Sequence, residues 1–346
     1  MGNGLLVYTP LNGRFNIGDY IQSLAAKQYF NKGKFVFIDR DHTNLYKGDS
    51  VKIIMNGWFS HHPENWPPSN QISPLFVAFH INETVKEFNL TNDSIAYFNK
   101  NEPIGCRDYN TMNMLKEKGI NAYFSGCLTL TLGLTYKHKD IENAPIYIVD
   151  PFFNFEKGVF NILKYTKEII LHYKTISKIK RKYQNSIAIP YNNIKSLIVA
   201  AAFFNKFKKI IDKKVLENAI YICQEFYDKD FKNDNEKFAK ADEILKLYSN
   251  AKYVITSRIH CALPCLAMGT PVVFIEKEYD SEFSNCRFGG IIELFNTITI
   301  NKNGSVVKSF TQEKLSINTV IKNKENFKVY RDALIERCKS FAKDHL

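Results

Sequence analysis

The sequence predicts an α/β fold in two domains, and three observations carry that prediction. The chain has 346 residues, more than one hydrophobic core usually organises. Short apolar runs alternate with helical patterns, which favours parallel sheets covered by helices. A polar stretch at residues 137–140 separates one such series from the next. We therefore predict domains at residues 1–142 and 143–322, followed by a docking helix over 323–346.

The first predicted domain opens with a buried strand at residues 5–8, a loop rich in Gly and Asn, and an amphipathic helix over about 21–30. Four further apolar runs predict strands, and a helix over 109–118 follows the last of them; the runs lie at 35–38, 52–55, 76–79 and 104–107. This order predicts a parallel sheet with helices on both faces.

The second predicted domain repeats the same alternation. Strands are predicted at residues 146–150, 219–223, 253–256 and 272–275. Helices are predicted over 159–183, 237–248 and 262–268, and Gly269 is expected to end the last of these. Apolar residues at helical spacing over 325–346 predict a C-terminal docking helix.

Composition indicates an ordinary globular protein, with 45% hydrophobic and 24% charged residues. The first residues lack a basic segment followed by an apolar one, so we expect no secretory signal and a cytoplasmic protein. The longest apolar run, residues 197–204, is too short to span a bilayer. Seven scattered cysteines fit reduced thiols rather than a disulfide framework.

The net charge of +12 is concentrated in a basic helical insertion at about 152–218. Residues 151–220 contain fourteen Lys or Arg and four Asp or Glu, a net of +10. Such a block suits an anionic membrane surface, a lipid-linked diphosphate or an acidic glycan, whereas the plainer interpretation is a solvated helix face. We expect no nucleic-acid partner, because no recognised nucleic-acid module accompanies the charge.

The strongest candidate for chemistry is the segment 256–260, which follows a strand and precedes a helix. Ligands of open α/β sheets bind beyond the carboxyl ends of strands. Arg258 can grip a phosphate or carboxylate, His260 titrates near neutral pH and suits proton transfer, and Ser257 can line the same pocket. The alternative is a pair of salt-bridged surface residues.

Two other loops occupy equivalent positions. Arg107 stands at a strand end, and Asp108 after it can cap the following helix. In the first loop, Asn16 and Gly18 precede Asp19, a carboxylate that could serve as a base or merely cap a helix; the loop matches no established nucleotide-binding pattern.

Residues 56–68 form a loop with two tryptophans, two histidines and three prolines. It could stack on sugar rings or simply anchor itself hydrophobically. His61 and His62 have no carboxylate or cysteine at ligand spacing, so we predict no metal site there. The D-x-D pattern in Asp39-Arg-Asp also arises by chance and receives little weight.

With these segments in view, the sequence resembles the polysaccharide pyruvyl transferase family. No single segment is specific, but they follow the family's order along residues 5–290; they are Asn16-Ile-Gly-Asp, Asn56-Gly-Trp-Phe, Cys106-Arg-Asp, Phe124-Ser-Gly-Cys-Leu-Thr, Ser257-Arg-Ile-His and Ala267-Met-Gly-Thr-Pro-Val-Val. Nothing between about 152 and 218 contributes to the resemblance.

The resemblance implies two Rossmann-like domains in a GT-B-like arrangement, with a cleft between them. It also implies transfer of pyruvate from phosphoenolpyruvate to a sugar of a bacterial surface polysaccharide or its lipid-linked precursor, forming a ketal and releasing phosphate. Arg107 and Arg258 would hold the donor, while His260 and Asp19 would share the proton transfers. Further substrate-binding residues are expected from the same segments: Asn16, Gly18, Asn56, Gly57, Trp58, Ser125 and Ser257. This scheme requires no metal, nucleotide or other cofactor.

Two rival functions stay open at this point. A glycosyltransferase of the same shape would use a nucleotide sugar, and Glu276 and Glu278 are its candidate nucleotide-binding carboxylates. A catalytically idle protein that binds glycan or membrane belongs to a different class. In that case, loss of the Arg258 or His260 side chain would change neither ligand affinity nor surface glycan.

Overall fold

The computed structural model of the chain describes residues 1–30, 33–153, 156–186, 193–278 and 288–343. Its elements form two large sheets with helices on their faces, as the alternating pattern predicts. In chain order, the strands are β1 (Gly2–Val7), β2 (Arg14–Asn16), β3 (Phe35–Asp39), β4 (Val51–Trp58), β5 (Ile72–His80), β6 (Ile104–Cys106), β7 (Ala122–Phe124), β8 (Ile146–Val149), β9 (Ile220–Ile222), β10 (Glu225–Tyr227), β11 (Tyr253–Thr256), β12 (Val272–Lys277), β13 (Asn296–Ile300) and β14 (Val306–Lys308).

The helices lie between these strands and at the end of the chain. They are α1 (Ile17–Lys27), α2 (Lys86–Asn89), α3 (Asn92–Lys100), α4 (Tyr109–Glu117), α5 (Val159–Ser186), α6 (Asn193–Phe207), α7 (Lys213–Asn218), α8 (Asp234–Ser249), α9 (Ile259–Met268) and α10 (Lys328–Lys343). As predicted, Gly269 ends α9: it adopts a left-handed conformation with φ of 90°. None of the described helices is long and apolar enough to cross a bilayer.

The first sheet has the order β3-β1-β4-β5-β6-β7, and its paired strands are parallel. The second has the order β14-β13-β12-β11-β8-β9 and is mixed, because β14 pairs antiparallel with β13. Parallel strands place their carboxyl ends at one edge of a sheet, where loops can collect functional side chains.

A short antiparallel ladder joins the two halves of the chain. Strand β2, next to the first sheet, pairs with β10 from the second half. The ladder continues beyond both strands, because the Ile17 N–H donates to the Gln224 carbonyl at 2.8 Å and the Asp228 N–H donates to the Gly13 carbonyl at 2.9 Å. The sequence analysis predicted neither strand.

The hydrophobic core follows this connection. One cluster of buried residues runs through both halves; for example, the rings of Tyr20 on α1 and Phe238 on α8 meet edge to face at 5.2 Å. A second cluster lies between α5, α6 and α7 and the outer side of the second sheet. Helix α10 returns to the first sheet, where Lys52 donates to the Phe341 carbonyl at 2.9 Å.

Candidate active site

A cavity of about 420 Å³ lies where the carboxyl ends of strands from both sheets face each other. Trp58 and His80 come from the ends of β4 and β5, and Arg107 directly follows β6. Ser257 and Arg258 enter from the opposite side, after β11. The cavity therefore occupies the position at which α/β sheets bind ligands.

Most of the predicted site residues meet at this cavity. Those that line it are Asn16, Asp19, Trp58, Arg107, Ser257, Arg258 and His260. Four predicted substrate-binding residues are absent from its described lining: Gly18, Asn56, Gly57 and Ser125.

Three of these residues, Asn56, Gly57 and Ser125, have structural roles next to the cavity or lie away from it. Buried Asn56 donates through Nδ2 to the Gln22 carbonyl at 3.0 Å, and Gly57 has φ of 132°, a conformation that favours glycine. Ser125 holds neighbouring strand ends together, since its hydroxyl accepts from the Ala78 N–H at 2.9 Å. It borders a different cavity next to α10.

Arg258 is held by a residue that the sequence analysis missed. The Asp150 carboxylate accepts from Arg258 Nε at 2.8 Å and from the Gln224 N–H at 2.9 Å. The Asp150 carbonyl accepts from the Ser257 hydroxyl at 2.5 Å. Asp150 adopts φ of 41°, an uncommon conformation for a residue with a side chain. Ser257 therefore lines the cavity and also holds the main chain of Asp150 in place.

Arg107 stands beside a buried ion pair. Asp108 caps α4 by accepting from the Thr111 N–H at 2.9 Å, as predicted, and its second carboxylate oxygen lies 2.5 Å from His80 Nδ1. Burial opposes ionisation of Asp108, but His80, Arg107 and the Thr111 N–H together lower its pKa. The pair fixes one end of the loop that presents Arg107.

The main chain of the first turn of α1 approaches His260 closely at Gly18. A Cβ atom placed on Gly18 would lie 3.0 Å from both Cβ and Nδ1 of His260, so only glycine leaves the imidazole its present position. The Gly18 N–H itself donates to Asn16 Oδ1 at 2.9 Å. Asn16 therefore caps α1, and the alternative role of Asp19 as that cap is wrong.

The titration near neutral pH that the sequence analysis expected for His260 is wrong. Burial, assisted by the positive charges of Arg107 and Arg258, lowers the pKa of His260 to about 3. The sequence assigned a value near neutrality because nothing in it indicates the depth of the imidazole. With this lowered pKa, the imidazole is neutral at pH 7.

Asp19 lies within a charged group that also contains Arg40 and His61. Arg40 Nη1 is 3.6 Å from Asp19, while Arg40 Nη2 lies 2.9 Å from both Asp41 Oδ2 and His61 Nδ1. Burial raises the pKa of Asp19 although Arg40 and His61 oppose that rise. Arg40 is the central residue of the Asp39-Arg-Asp pattern. The residue of this pattern that contacts Asp19 and His61 is the arginine, and the two aspartates do not form a metal-binding pair among the described residues.

The two tryptophans of residues 56–68 have separate roles. Trp66 packs among core aromatic rings, including Phe59 at 5.5 Å and Phe79 at 5.4 Å between centroids, which is the anchoring role. Trp58 lines the cavity with its ring 4.5 Å from that of His61. Only Trp58 is therefore placed to meet a sugar.

Unsatisfied polar atoms concentrate at the cavity. Several buried side-chain atoms of its lining have no hydrogen-bond partner within the described ranges: Gln22 Oε1, Arg40 Nη1, Trp58 Nε1, Arg107 Nε, Gln224 Oε1 and His260 Nε2. An unmet buried polar group costs about 1–3 kcal/mol, so such a concentration indicates a polar ligand. The donors among them, together with Arg258, suit an anion.

The rival nucleotide-binding carboxylates lie elsewhere. Glu276 accepts from the Thr299 hydroxyl at 2.5 Å, and Glu278 accepts from the Lys302 N–H at 3.3 Å. Neither belongs to the described lining of the cavity. The glycosyltransferase alternative therefore lacks the feature that would distinguish it.

Comparison with known proteins gives one family. The family model for polysaccharide pyruvyl transferase matches residues 16–278, about three quarters of the chain. No curated protein and no solved structure matches the chain significantly. The matched range begins at Asn16 and contains Arg107, Arg258 and His260.

Proposed function

Because the chain belongs to the polysaccharide pyruvyl transferase family, we propose that it transfers pyruvate from phosphoenolpyruvate to a sugar, forming a ketal and releasing phosphate. The observation that carries the proposal is the meeting of Arg107 and Arg258 around His260. Both arginines act electrostatically on His260, and all three side chains line one cavity. A donor with a carboxylate and a phosphate matches two arginines, which bind such groups through charge-assisted hydrogen bonds.

The reaction needs two proton transfers that balance. A proton adds to the methylene carbon of the donor, and a sugar hydroxyl attacks the adjacent carbon, forming a C–O bond. The bond between this carbon and the phosphate oxygen then breaks, and phosphate leaves with its electrons. A second sugar hydroxyl attacks the same carbon and completes the ketal. The two sugar hydroxyls release two protons. One restores the acid that protonated the methylene carbon, and the other is taken up by the departing phosphate.

His260 and Asp19 are the groups that we assign to these transfers. The donor's negative charges would offset the arginines that hold the His260 pKa low, so donor binding would let the imidazole take up and pass on a proton. Asp19, whose burial raises its pKa, would accept a proton from a sugar hydroxyl. Their roles can be exchanged between the two halves of the reaction.

The acceptor is a sugar of a bacterial surface polysaccharide, such as a capsule or exopolysaccharide, or its lipid-diphosphate-linked precursor. Trp58 supports an acceptor site, because sugar rings stack on exposed indole faces and Trp58 lies in the same cavity as Asp19. This proposal includes a GT-B-like arrangement of the two halves and a cytoplasmic protein working at the inner face of the membrane. It includes no cofactor.

The test supplies phosphoenolpyruvate with a panel of lipid-linked and nucleotide-linked sugars. We expect phosphate release that depends on the acceptor, together with a sugar mass increase of one pyruvate less one water. His260→Asn should abolish both signals, whereas His138→Asn, a histidine outside the described cavity lining, should retain them. Phosphate release without a gain in sugar mass, or sugar transfer from a nucleotide sugar, would contradict the proposal.

A further inference from the structure

Helix α5 carries two apolar faces, and only one of them is used within the fold. The sequence spacing at 162, 165, 169, 173, 176, 179 and 183 indicates one amphipathic stripe. Tyr165, Ile176, Ile179 and Tyr183 of that stripe are buried against the neighbouring helices and sheet. The amphipathic pattern is therefore largely explained by packing, and it cannot by itself identify a surface that binds a partner.

The opposite face of α5 holds a separate set of apolar side chains that point away from the described core. Phe160 is 89% exposed, Val159 72% and Ile170 74%, and Leu163 and Leu171 are both 61% exposed. These residues, together with Lys164, Lys167 and Lys174, form what we call the α5 patch. Positions 160, 163, 167, 170 and 171 have helical spacing and share one side of the first part of α5, and Lys174 follows the kink at His172.

The lysines of the basic insertion divide into two groups. Those near the C-terminal end of α5 serve the fold, since Lys178 donates to Glu217 at 3.1 Å and Lys182 donates to the Ala219 carbonyl at 2.8 Å. Lys208 pairs with buried Glu168. In contrast, Lys164, Lys167 and Lys174 are exposed and make no side-chain hydrogen bond or ion pair with any described residue.

Acidic residues do not balance the α5 patch. Between Lys157 and Lys174, the sequence contains one carboxylate, Glu168, and Lys208 already neutralises it. The α5 patch therefore combines exposed hydrocarbon with an uncompensated positive charge. This combination matches an anionic lipid surface, which offers acyl chains and a diffuse negative charge in the same plane.

A second copy of the chain is a poorer occupant. In a two-fold dimer the patch would face itself, so its three lysines would approach the same three lysines of the other copy. Like charges brought together in this way oppose association. An anionic bilayer has no such conflict.

We propose that the α5 patch docks the protein on an anionic membrane, with Phe160, Leu163 and Ile170 entering the interface and the lysines contacting lipid phosphates. No residue of α5 belongs to the described lining of the cavity, so docking along this face does not involve the side chains that meet substrate. The inference does not require the proposed reaction, because membrane binding is measured without donor or acceptor.

The experiment is co-sedimentation of the full chain with vesicles of phosphatidylcholine alone or with added phosphatidylglycerol. We expect recovery on the anionic vesicles only, falling as salt is raised because screening shortens the range of the lysine charges. Phe160→Asp should lower the partition coefficient by about tenfold or more. Phe88→Asp, at another exposed phenylalanine with 60% exposure, should not.

A second pair of variants isolates the charge. Neutralising Lys164, Lys167 and Lys174 with Gln should remove the salt-sensitive part of binding, whereas neutralising exposed Lys47, Lys100 and Lys302 should leave it in place. Equal recovery on both kinds of vesicle, or unchanged binding by Phe160→Asp, overturns the proposal. So does a dimer in sedimentation velocity that Phe160→Asp dissociates while vesicle binding is absent.

Discussion

The Asp150 carboxylate accepts from Arg258 Nε at 2.8 Å, and Asp150 does so from a left-handed backbone conformation with φ of 41°. Residues with side chains adopt this region rarely, and such strain concentrates at functional sites. Arg258 remains 40% exposed on its other side, towards the cavity. Asp150 is thus a positioning residue. Its carboxylate binds Arg258 Nε and orients the guanidinium, whose other N–H groups stay available for a ligand.

Asp150→Asn should raise the KM for phosphoenolpyruvate by about tenfold and change kcat less, because loss of a charge-assisted hydrogen bond costs about 1.5 kcal/mol or more. Asp150→Gly should raise KM similarly while relaxing the backbone, so its free energy of unfolding should not fall below that of Asp150→Asn. Steady-state kinetics and denaturant unfolding measure the two effects. An exposed control, Asp140→Asn, should change neither, and an unaltered KM in both Asp150 variants would refute the role.

Arg107→Lys and Arg258→Lys should each lower kcat/KM for phosphoenolpyruvate by about a hundredfold. Lysine keeps the charge but loses the planar pair of donors that matches a carboxylate or phosphate. Arg331→Lys, on α10 and outside the cavity, is the matched control. Activity kept in both cavity variants would mean that charge alone holds the donor.

The stability contribution of His260 should depend on pH. Its folded pKa of about 3 lies below the ordinary value of 6.5, so the unfolded chain binds the proton first as the pH falls. This contribution is complete above pH 6.5 and declines towards pH 3, by at most about 1.4 kcal/mol per pH unit. The free energy of unfolding of the wild type minus that of His260→Gln should therefore fall as the pH decreases from 6.5 towards 3. A difference that is constant with pH would argue against a buried neutral imidazole.

Gly18→Ala should lower kcat. The added Cβ would lie 3.0 Å from Cβ and Nδ1 of His260 and also 3.0 Å from Asn16 Oδ1, so the imidazole and the cap of α1 would have to shift. Gly2→Ala, whose Cβ would lie at an ordinary 3.4 Å from Val51, provides the control. A fully active and equally stable Gly18→Ala enzyme would show that the imidazole position is not critical.

Asp19→Asn should lower kcat by about a hundredfold or more, the usual contribution of a positioned general base, with a smaller change in donor KM. Because burial raises the pKa of Asp19, the acid limb of the wild-type pH–rate profile should lie above the ordinary value of 3.8. Exposed Asp49→Asn should behave like the wild type. If Asp19→Asn leaves the acid limb of the pH–rate profile unchanged, that limb reports the titration of another group.

The sequence located those site residues whose position follows from local pattern. Arg107 and Arg258 each follow an apolar run that becomes a parallel strand, and strand ends meet at ligand sites whatever the distance along the chain. Arg40 also directly follows a predicted strand, β3, but its role becomes visible only through its contacts with His61 and with Asp19 of α1. Asp150 was placed within a strand, so its role as support for Arg258 could not be seen.

Burial and pairing set the remaining limits. The lowered pKa of His260 depends on tertiary surroundings that no spacing reports. Strands β2 and β10 have three residues each, too few to show a period, and their pairing joins distant parts of the chain. The two apolar faces of α5 are likewise distinguishable only when their neighbours are known.

The ladder between β2 and β10 runs directly into Asn16 and Gln224, two residues of the cavity wall. Swinging the halves of the chain apart would break these main-chain hydrogen bonds together with the Ile17–Gln224 bond. We therefore expect donor and acceptor to enter and leave by the cavity mouth while the frame stays closed. The two halves should therefore keep one relative position throughout the catalytic cycle. Turnover should then be insensitive to solvent viscosity, which slows large hinge motions.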